Sequence, residues 1–189
     1  IIHADMWCAP NQDLELLKLY DNLDKNTRLI ASSFRIQPKI FPQDPDYRPG
    51  TVFHPIEEFG EYHHNFDSKY FDEWATEFSK TNDLVVRKGG GAGFFCRVED
   101  YKWIGGNDSL FAPASWEDMD LFVRMQLEGY EFKMITKSVL WHFGARGSHF
   151  RDEAKDDFSK KSERQQKAEQ VNVQKWVSKW GRLPNHDSE

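Results

Sequence analysis

Three short clusters in the sequence combine residue types that can bind a metal ion or transfer a proton. They are His3-Ala4-Asp5, Glu117-Asp118-Met119-Asp120 and Trp141-His142-Phe143-Gly144. Carboxylates and imidazoles ligate divalent ions, and both act as general bases when their surroundings adjust their proton affinity. Each cluster is predicted to lie where a strand ends or a helix begins, so the three together form the candidate site.

The first cluster holds two ligand-type side chains, His3 and Asp5, that are two residues apart. The apolar start of the chain predicts a short buried strand from Ile1 to Met6. Residues at i and i+2 of a strand point to the same side of the sheet. The pattern therefore predicts that both side chains face one ligand at the end of this strand.

The acidic cluster allows two interpretations. Ser115 and Asp118 match a capping box with Asp in place of Glu, and acids are favoured near a helix N-terminus by the macrodipole. The other interpretation is a general base, because three acids crowd beside Trp116 on an otherwise apolar helix. Aromatic neighbours that partly desolvate a carboxylate raise its proton affinity toward that needed in a base.

His142 leaves a predicted strand between two aromatic residues, where a histidine is either structural or a ligand. The residues around it leave both interpretations open.

The pattern of apolar residues predicts an α/β fold. Predicted strands cover residues 1–6, 28–34 and 131–141; predicted helices cover about 14–23, 67–80, 99–103, 115–128 and 156–180. Asp67 is expected to cap the 67–80 helix, and Gly129 to end the 115–128 helix. The domain organisation predicted from these elements is a catalytic region over 1–151 and a charged helical extension over 152–189.

Two segments have the composition of ligand-binding loops. Residues 37–66 hold five of the eight prolines and several aromatics, which predicts a long lid or acceptor platform. Residues 89–93 read Gly-Gly-Gly-Ala-Gly, and glycines allow a positive φ or the close approach of backbone to a ligand. A turn or bulge that enters a strand explains the glycines equally well.

Composition limits the classes of partner. The net charge of -6 gives no overall attraction to nucleic acid, and no apolar run approaches the length of a membrane-spanning helix. Cys8 and Cys96 lack metal spacing, which favours a reducing compartment, the cytoplasm. The apolar start at Ile1 suggests that upstream sequence is missing.

Taken in order, the three clusters and the glycine-rich segment resemble the family-2 glycosyltransferases of the GT-A fold. His3-Ala4-Asp5 resembles the Asp-x-Asp metal motif with its first Asp replaced. Gly105-Gly106-Asn107-Asp108 and the segment from Trp116 to Arg124 resemble the Gly-Gly-Phe-Asp-Glu turn and the Glu-Asp-x-Asp-Leu-x-x-Arg helix of the family. His142 resembles its later metal-binding histidine, and Lys179-Trp180-Gly181 resembles a Lys-Trp-Gly ending.

The resemblance spans residues 1–181 and implies a partial GT-A, Rossmann-like mixed sheet flanked by helices, without the nucleotide-binding first half. It implies an inverting transferase that moves a sugar from a nucleotide sugar to a saccharide hydroxyl, with Asp118 as base. The further roles that it implies are metal ligation of Mn²⁺ or Mg²⁺ by Asp5 and His142, and contacts to the substrates by Trp116, Glu117, Gly91, Gly93 and His3. Arg146 is expected to reach the diphosphate.

Two other functions fit the same residues. Without a nucleotide-binding half, the chain would be a non-catalytic carbohydrate-binding or assembly module. A metal-dependent hydrolase would use the same Asp and His residues and would release free sugar without an acceptor. A first strand that normally pairs with upstream strands also predicts self-association through an exposed sheet edge.

Overall fold

The computed structural model describes residues 1–38, 47–48, 51–53, 56–60, 62–81, 86–88, 91, 93–113, 115–144 and 163–183. The chain forms two compact units, one of Ile1–Phe95 with Glu131–Gly147 and one of Cys96–Tyr130 with Ser148–Glu189. The mixed α/β class is confirmed. The division at residue 151 stays a prediction.

The first unit is built on one mixed sheet. Its described strands are β1 (Met6–Cys8), β2 (Leu29–Gln37), β3 (Tyr47–Arg48), β4 (Thr51–Phe53), β5 (Val86–Lys88), β6 (Phe94–Phe95) and β7 (Glu131–His142). The long strands β7 and β2 are parallel neighbours at its centre. β1 and β5 pair antiparallel with β7, while β2 pairs with parallel β4 and antiparallel β6, and β3 pairs antiparallel with β4.

Aromatic side chains fill the core beside this sheet. The helices of the first unit are α1 (Gln12–Asp21), α2 (Ile56–Phe59) and α3 (Ser68–Thr81). Phe59 and Phe71 lie against Trp141 of β7 at ring separations of 5.5 and 5.7 Å, and all three are fully buried. Offset and edge-on ring pairs stabilise such a core beyond the burial of apolar area. Packing in the core thus accounts for these three aromatic residues.

The chain start differs from its prediction. The first strand begins only at Met6, and Ile1 and Ile2 are half exposed rather than buried, so the predicted strand over 1–6 is wrong. Ile1 instead exchanges two backbone hydrogen bonds with Phe94, and residues 4 and 5 form a turn. The apolar residues Ile1 and Ile2 predicted a strand that continues to Met6. The strand prediction is false because the chain turns at residues 4 and 5 after the backbone of Ile1 pairs with Phe94.

Other element predictions are confirmed with shifted ends. Asp67 caps α3, since its carboxylate accepts a hydrogen bond from the Tyr70 N–H at 2.9 Å. β2 continues three residues beyond its predicted end, to Gln37. Residues 37–66 are not one uniform loop, because β3, β4 and α2 lie among their described residues.

The second unit contains α4 (Val98–Trp103), a 3₁₀ turn (Ser109–Phe111), α5 (Glu117–Leu127) and α6 (Glu163–Trp180). α5 ends as predicted, with Gly129 at φ 80°. Its start differs from the prediction, because the N-cap is Trp116 and not Ser115. The Trp116 side chain makes no capping hydrogen bond. The predicted capping box is therefore wrong.

The apolar residues of α6 are buried to different extents. Trp176 is buried, but Val171 and Val177 are substantially exposed. Asn172 is also buried, and its amide donates to the Phe111 and Ser115 carbonyls. Residues 156–162 of the predicted helix lie outside the described residues.

Candidate functional site

His3, Asp5 and His142 converge in the first unit. One ligand atom from each lies within 4.8 Å of the other two. The Asp5 Oδ2 and His142 Nε2 atoms are 3.4 Å apart, and the rings of His3 and His142 meet edge to face at 6.4 Å between centroids. Of the residues that the structure describes, these three are the group with metal-site spacing.

Backbone pairing at the end of β7 places these side chains. The Phe143 N–H donates to the Asp5 carbonyl at 2.9 Å, which continues the β1–β7 ladder past the Met6–His142 pair. The Met6 N–H donates to the His3 carbonyl at 3.3 Å and closes the turn. His3 and Asp5 thus approach each other through a turn, and the expectation that a strand pleat aligns them is wrong.

Burial and charge set the ionisation of the pair. Burial lowers the pKa of His142, and this outweighs the Asp5 carboxylate, which favours the protonated ring. Burial alone would raise the pKa of Asp5, but its hydrogen bond to His142 and the charges of His142 and His3 bring the pKa below its ordinary value. Near neutral pH the pair is therefore a carboxylate beside a neutral imidazole.

Gln37, at the end of β2, orients the His142 ring. Its carboxamide oxygen lies 2.8 Å from His142 Nδ1, and this contact favours the tautomer with the ring proton on Nδ1. In that tautomer the neutral ring turns its Nε2 lone pair toward the Asp5 carboxylate and the two acceptors repel, whereas only the protonated ring donates from Nε2 to this carboxylate. A shared cation removes this repulsion, and such partner bonds to the second ring nitrogen accompany nearly all metal-binding histidines.

Arg35 also belongs to this face of the sheet. Arg35 and Gln37 are two residues apart on β2, so they share a face, while Ile36 between them is fully buried on the other. The charge of Arg35 contributes to lowering the pKa of His142. Sequence reasoning missed Arg35 and Gln37; the available signal was polar residues alternating with an apolar one at the end of a buried strand.

The glycine-rich segment lies near the same strands. Gly91 has its nearest side-chain neighbour in Arg35, whose Nη1 is 3.8 Å from the position of an added Cβ. Gly93 is buried at φ 78°, and an added Cβ would lie 2.6 Å from the Leu140 side chain and 3.3 Å from Met6. The close neighbours of Gly93 are thus side chains of the protein itself. Contacts of Gly91 and Gly93 with the donor substrate stay a prediction. Arg146 lies outside the described residues.

Asp118, Glu117 and Trp116 belong to the second unit. The Asp118 carboxylate accepts from the N–H of its own neighbour, Met119, at 2.7 Å. Ser115 and Trp116 both have positive φ, at 82° and 75°, which bulky non-glycine residues rarely adopt. Strained backbone of this kind is concentrated at functional sites. The Trp116 ring contacts Trp176 at 5.9 Å.

Asp120, the third acid of the cluster, is an internal anchor. It is fully buried, and Oδ2 accepts from Arg124 Nε at 2.8 Å. Oδ1 lies 2.6 Å from Lys179 Nζ and accepts from Trp180 Nε1 at 3.0 Å. The acidic helix and the Lys-Trp-Gly ending, separate motifs in the sequence, meet on this carboxylate.

Comparison of the chain with family models, with the curated proteins and with the solved structures finds no match in any of the three. Among the described residues, no helix combines the length and apolar character needed to cross a membrane.

Proposed function

We propose that this chain is a metal-dependent, inverting glycosyltransferase similar to family 2 of the GT-A fold. The observation that carries the proposal is the convergence of His3, Asp5 and His142, because His142 is far from the other two in sequence and all three occupy the metal-motif positions of the resemblance. The mixed sheet is compatible with a partial GT-A fold.

The donor set fits a divalent ion. It offers one carboxylate and two imidazoles, and in the neutral His142 tautomer with the proton on Nδ1 the Asp5–His142 contact presents two acceptors to each other. When bound, Mn²⁺ or Mg²⁺ would neutralise charge that develops on the diphosphate leaving group. Asp5 and His142 hold the ion in this proposal.

Arg35 is a second source of positive charge on the metal face. Its guanidinium is a bidentate donor suited to phosphate oxygens. Its nearness to Gly91 places it beside backbone that carries no side chain. We therefore assign Arg35 to the diphosphate of the nucleotide sugar, a role that the sequence predicted for Arg146.

Asp118 and its two preceding residues are assigned to the acceptor in this proposal. Asp118 takes the proton from the acceptor hydroxyl as that oxygen attacks the anomeric carbon from the face opposite the diphosphate, which inverts the configuration. Trp116 stacks on the acceptor sugar and Glu117 hydrogen-bonds its hydroxyls. Support comes from the positive φ of Ser115 and Trp116 directly before this turn, since strained backbone is concentrated at functional sites.

Titration calorimetry with uridine and guanosine diphosphate sugars, each with and without Mn²⁺, tests the donor assignment. We expect metal-dependent binding that is lost in Asp5→Ala and weakened in Arg35→Met. If Asp5→Ala leaves manganese affinity unchanged, the metal assignment is wrong. Binding of free saccharides without any nucleotide sugar would instead identify a carbohydrate-binding module.

Transfer of sugar to a saccharide panel tests the base. Asp118→Asn should abolish transfer with an unchanged far-UV circular dichroism spectrum, and Glu128→Gln at the other end of α5 is the matched control. Retained turnover in Asp118→Asn would refute the base assignment. Free sugar released without acceptor in the wild-type chain would point to the hydrolase.

A further inference from the structure

We propose that His3 is the third ligand of the metal site and that the resulting two-histidine, one-carboxylate set selects a first-row ion such as Zn²⁺ over Mg²⁺. The inference rests on the proposed function, since it specifies the metal of that same site. It adds His3 as a ligand to the Asp5 and His142 pair. It also attributes the metal selectivity to His3, which stands where the resembled Asp-x-Asp motif has its first Asp.

The spacing of the three donors suits one ion. Around a metal with ligand bonds of about 2.1 Å, adjacent donors stand about 3.0–3.4 Å apart. The Asp5 Oδ2 and His142 Nε2 atoms are already 3.4 Å apart, and the widest separation in the group is within 4.8 Å. Rotation of the partly exposed His3 side chain is the movement that would close the remaining distance.

The backbone around His3 is held on both sides. Before it, Ile1 exchanges hydrogen bonds with Phe94, from the Ile1 amino group at 2.8 Å and from the Phe94 N–H at 3.0 Å. After it, the Met6 N–H closes the turn on the His3 carbonyl. The imidazole is therefore presented from a fixed turn and not from a loose chain end.

Donor chemistry sets the selectivity. Mg²⁺ prefers an octahedron of oxygen ligands and binds mainly through carboxylates, phosphates and water. Imidazole suits zinc, copper, iron and nickel, and the affinity of a given nitrogen and oxygen site is higher for Zn²⁺ than for Mn²⁺. With histidine in place of a carboxylate at position 3, the site has one negative ligand, Asp5, and two nitrogens. This set disfavours Mg²⁺ on both charge and donor type.

The experiment titrates ZnCl₂, MnCl₂ and MgCl₂ separately into the metal-free chain by calorimetry. We expect Zn²⁺ to bind at least about tenfold more tightly than Mn²⁺, with no measurable binding of Mg²⁺ at millimolar concentration. His3→Asp restores two carboxylates and should weaken Zn²⁺ while strengthening Mg²⁺, each by about tenfold or more. His3→Gln should lose affinity for Zn²⁺ without gaining Mg²⁺.

His63→Asp is the matched control, because His63 is exposed and lies outside the group of three. It should leave all three titrations unchanged, and it measures any zinc bound by surface histidines. A spectroscopic readout complements affinity: the Mn²⁺-loaded wild type should show nitrogen couplings from two imidazoles by pulsed electron paramagnetic resonance, and His3→Gln from one.

The outcomes separate this inference from the function on which it rests. If Asp5→Ala abolishes metal binding but His3→Asp leaves the order of affinities unchanged, the His3 assignment is overturned and the metal site stands. If wild type binds Mg²⁺ as tightly as Mn²⁺, the selectivity is overturned. If Asp5→Ala changes no titration, the metal site itself fails, and the proposed function with it.

Discussion

Replacing the buried Asp120 by asparagine removes the negative charge from a site that three donors share. The Arg124 and Lys179 cations approach the carboxylate at 2.8 and 2.6 Å, and the Trp180 indole donates at 3.0 Å. An asparagine of nearly the same shape keeps one oxygen but presents an N–H₂ group to a cation. Asp120→Asn therefore isolates the electrostatic part of this anchor.

The expected loss follows from the burial of the partners. Removing one member of a buried ion pair costs about 3–5 kcal/mol, because the opposite charge stays desolvated. Arg124 retains hydrogen bonds to the carbonyls of Ile104 and Gly106, and the side chains of Arg124 and Lys179 remain 18% and 25% exposed. The lower end of that range applies, so Asp120→Asn should lower the free energy of unfolding by about 3 kcal/mol.

Urea unfolding followed by tryptophan fluorescence measures this loss, and thermal unfolding should show a fall in Tm of about 6–12 °C. Asp108→Asn is the matched control, since the Asp108 carboxylate contacts the same Lys179 at 2.7 Å but is 32% exposed. Exposed ion pairs contribute up to about 1 kcal/mol. Equal losses in the two variants, or a loss below about 1 kcal/mol for Asp120→Asn, would refute the buried-anchor reasoning.

Three further changes test other parts of the structure. Burial holds the pKa of His142 below its ordinary 6.5, so the unfolded chain binds more protons than the folded chain as the pH falls. In the presence of a chelator, the free energy of unfolding should therefore decrease as the pH falls below about 6.5. The decrease should be less steep in His142→Asn. Burial raises the pKa of Cys96 to about 11 from 9.0. At pH 8 about 0.1% of the Cys96 side chains are thiolates, against about 10% for an ordinary thiol. Peptide mapping should therefore find that iodoacetamide labels Cys96 rapidly only in urea. In urea unfolding, Gly93→Ala should lower the free energy of unfolding by more than Gly105→Ala. Both glycines have a positive φ, but only Gly93 of the two has side chains within 4 Å of the added Cβ. Equal losses of unfolding free energy would contradict this reasoning.

Local signals in the sequence predicted most element ends. The Asp67 cap and the Gly129 stop each depend on residues within a few positions, and both are present as expected. The false strand at Ile1 shows the limit of such signals. Its apolar pattern was compatible with a strand, but the partner that decided its backbone pairing, Phe94, lies 93 residues away.

The sequence was sufficient to predict that Asp5 and His142 lie close together, but not which residues support them. The order of the motifs in the sequence was enough to pair Asp5 with His142, because both keep the residue types that the metal motifs require. Gln37 was not predictable, because its contact with His142 depends on the register of β2 against β7, and the two residues are 105 positions apart. The role of Asp120 was hidden for the same reason, since nothing near it in sequence distinguishes a buried anchor from a base.

Because three donors contact Asp120, we expect positions 120, 124, 179 and 180 to be constrained together in evolution. A lineage that lost the acid would leave two cations and an indole N–H around a neutral side chain, which selects for later loss of Lys179 or Arg124. Sequences descended from a common ancestor with this chain should therefore change these positions together. Asp118, whose carboxylate bonds to the N–H of its own neighbour, should vary independently of that set and follow the reaction it serves.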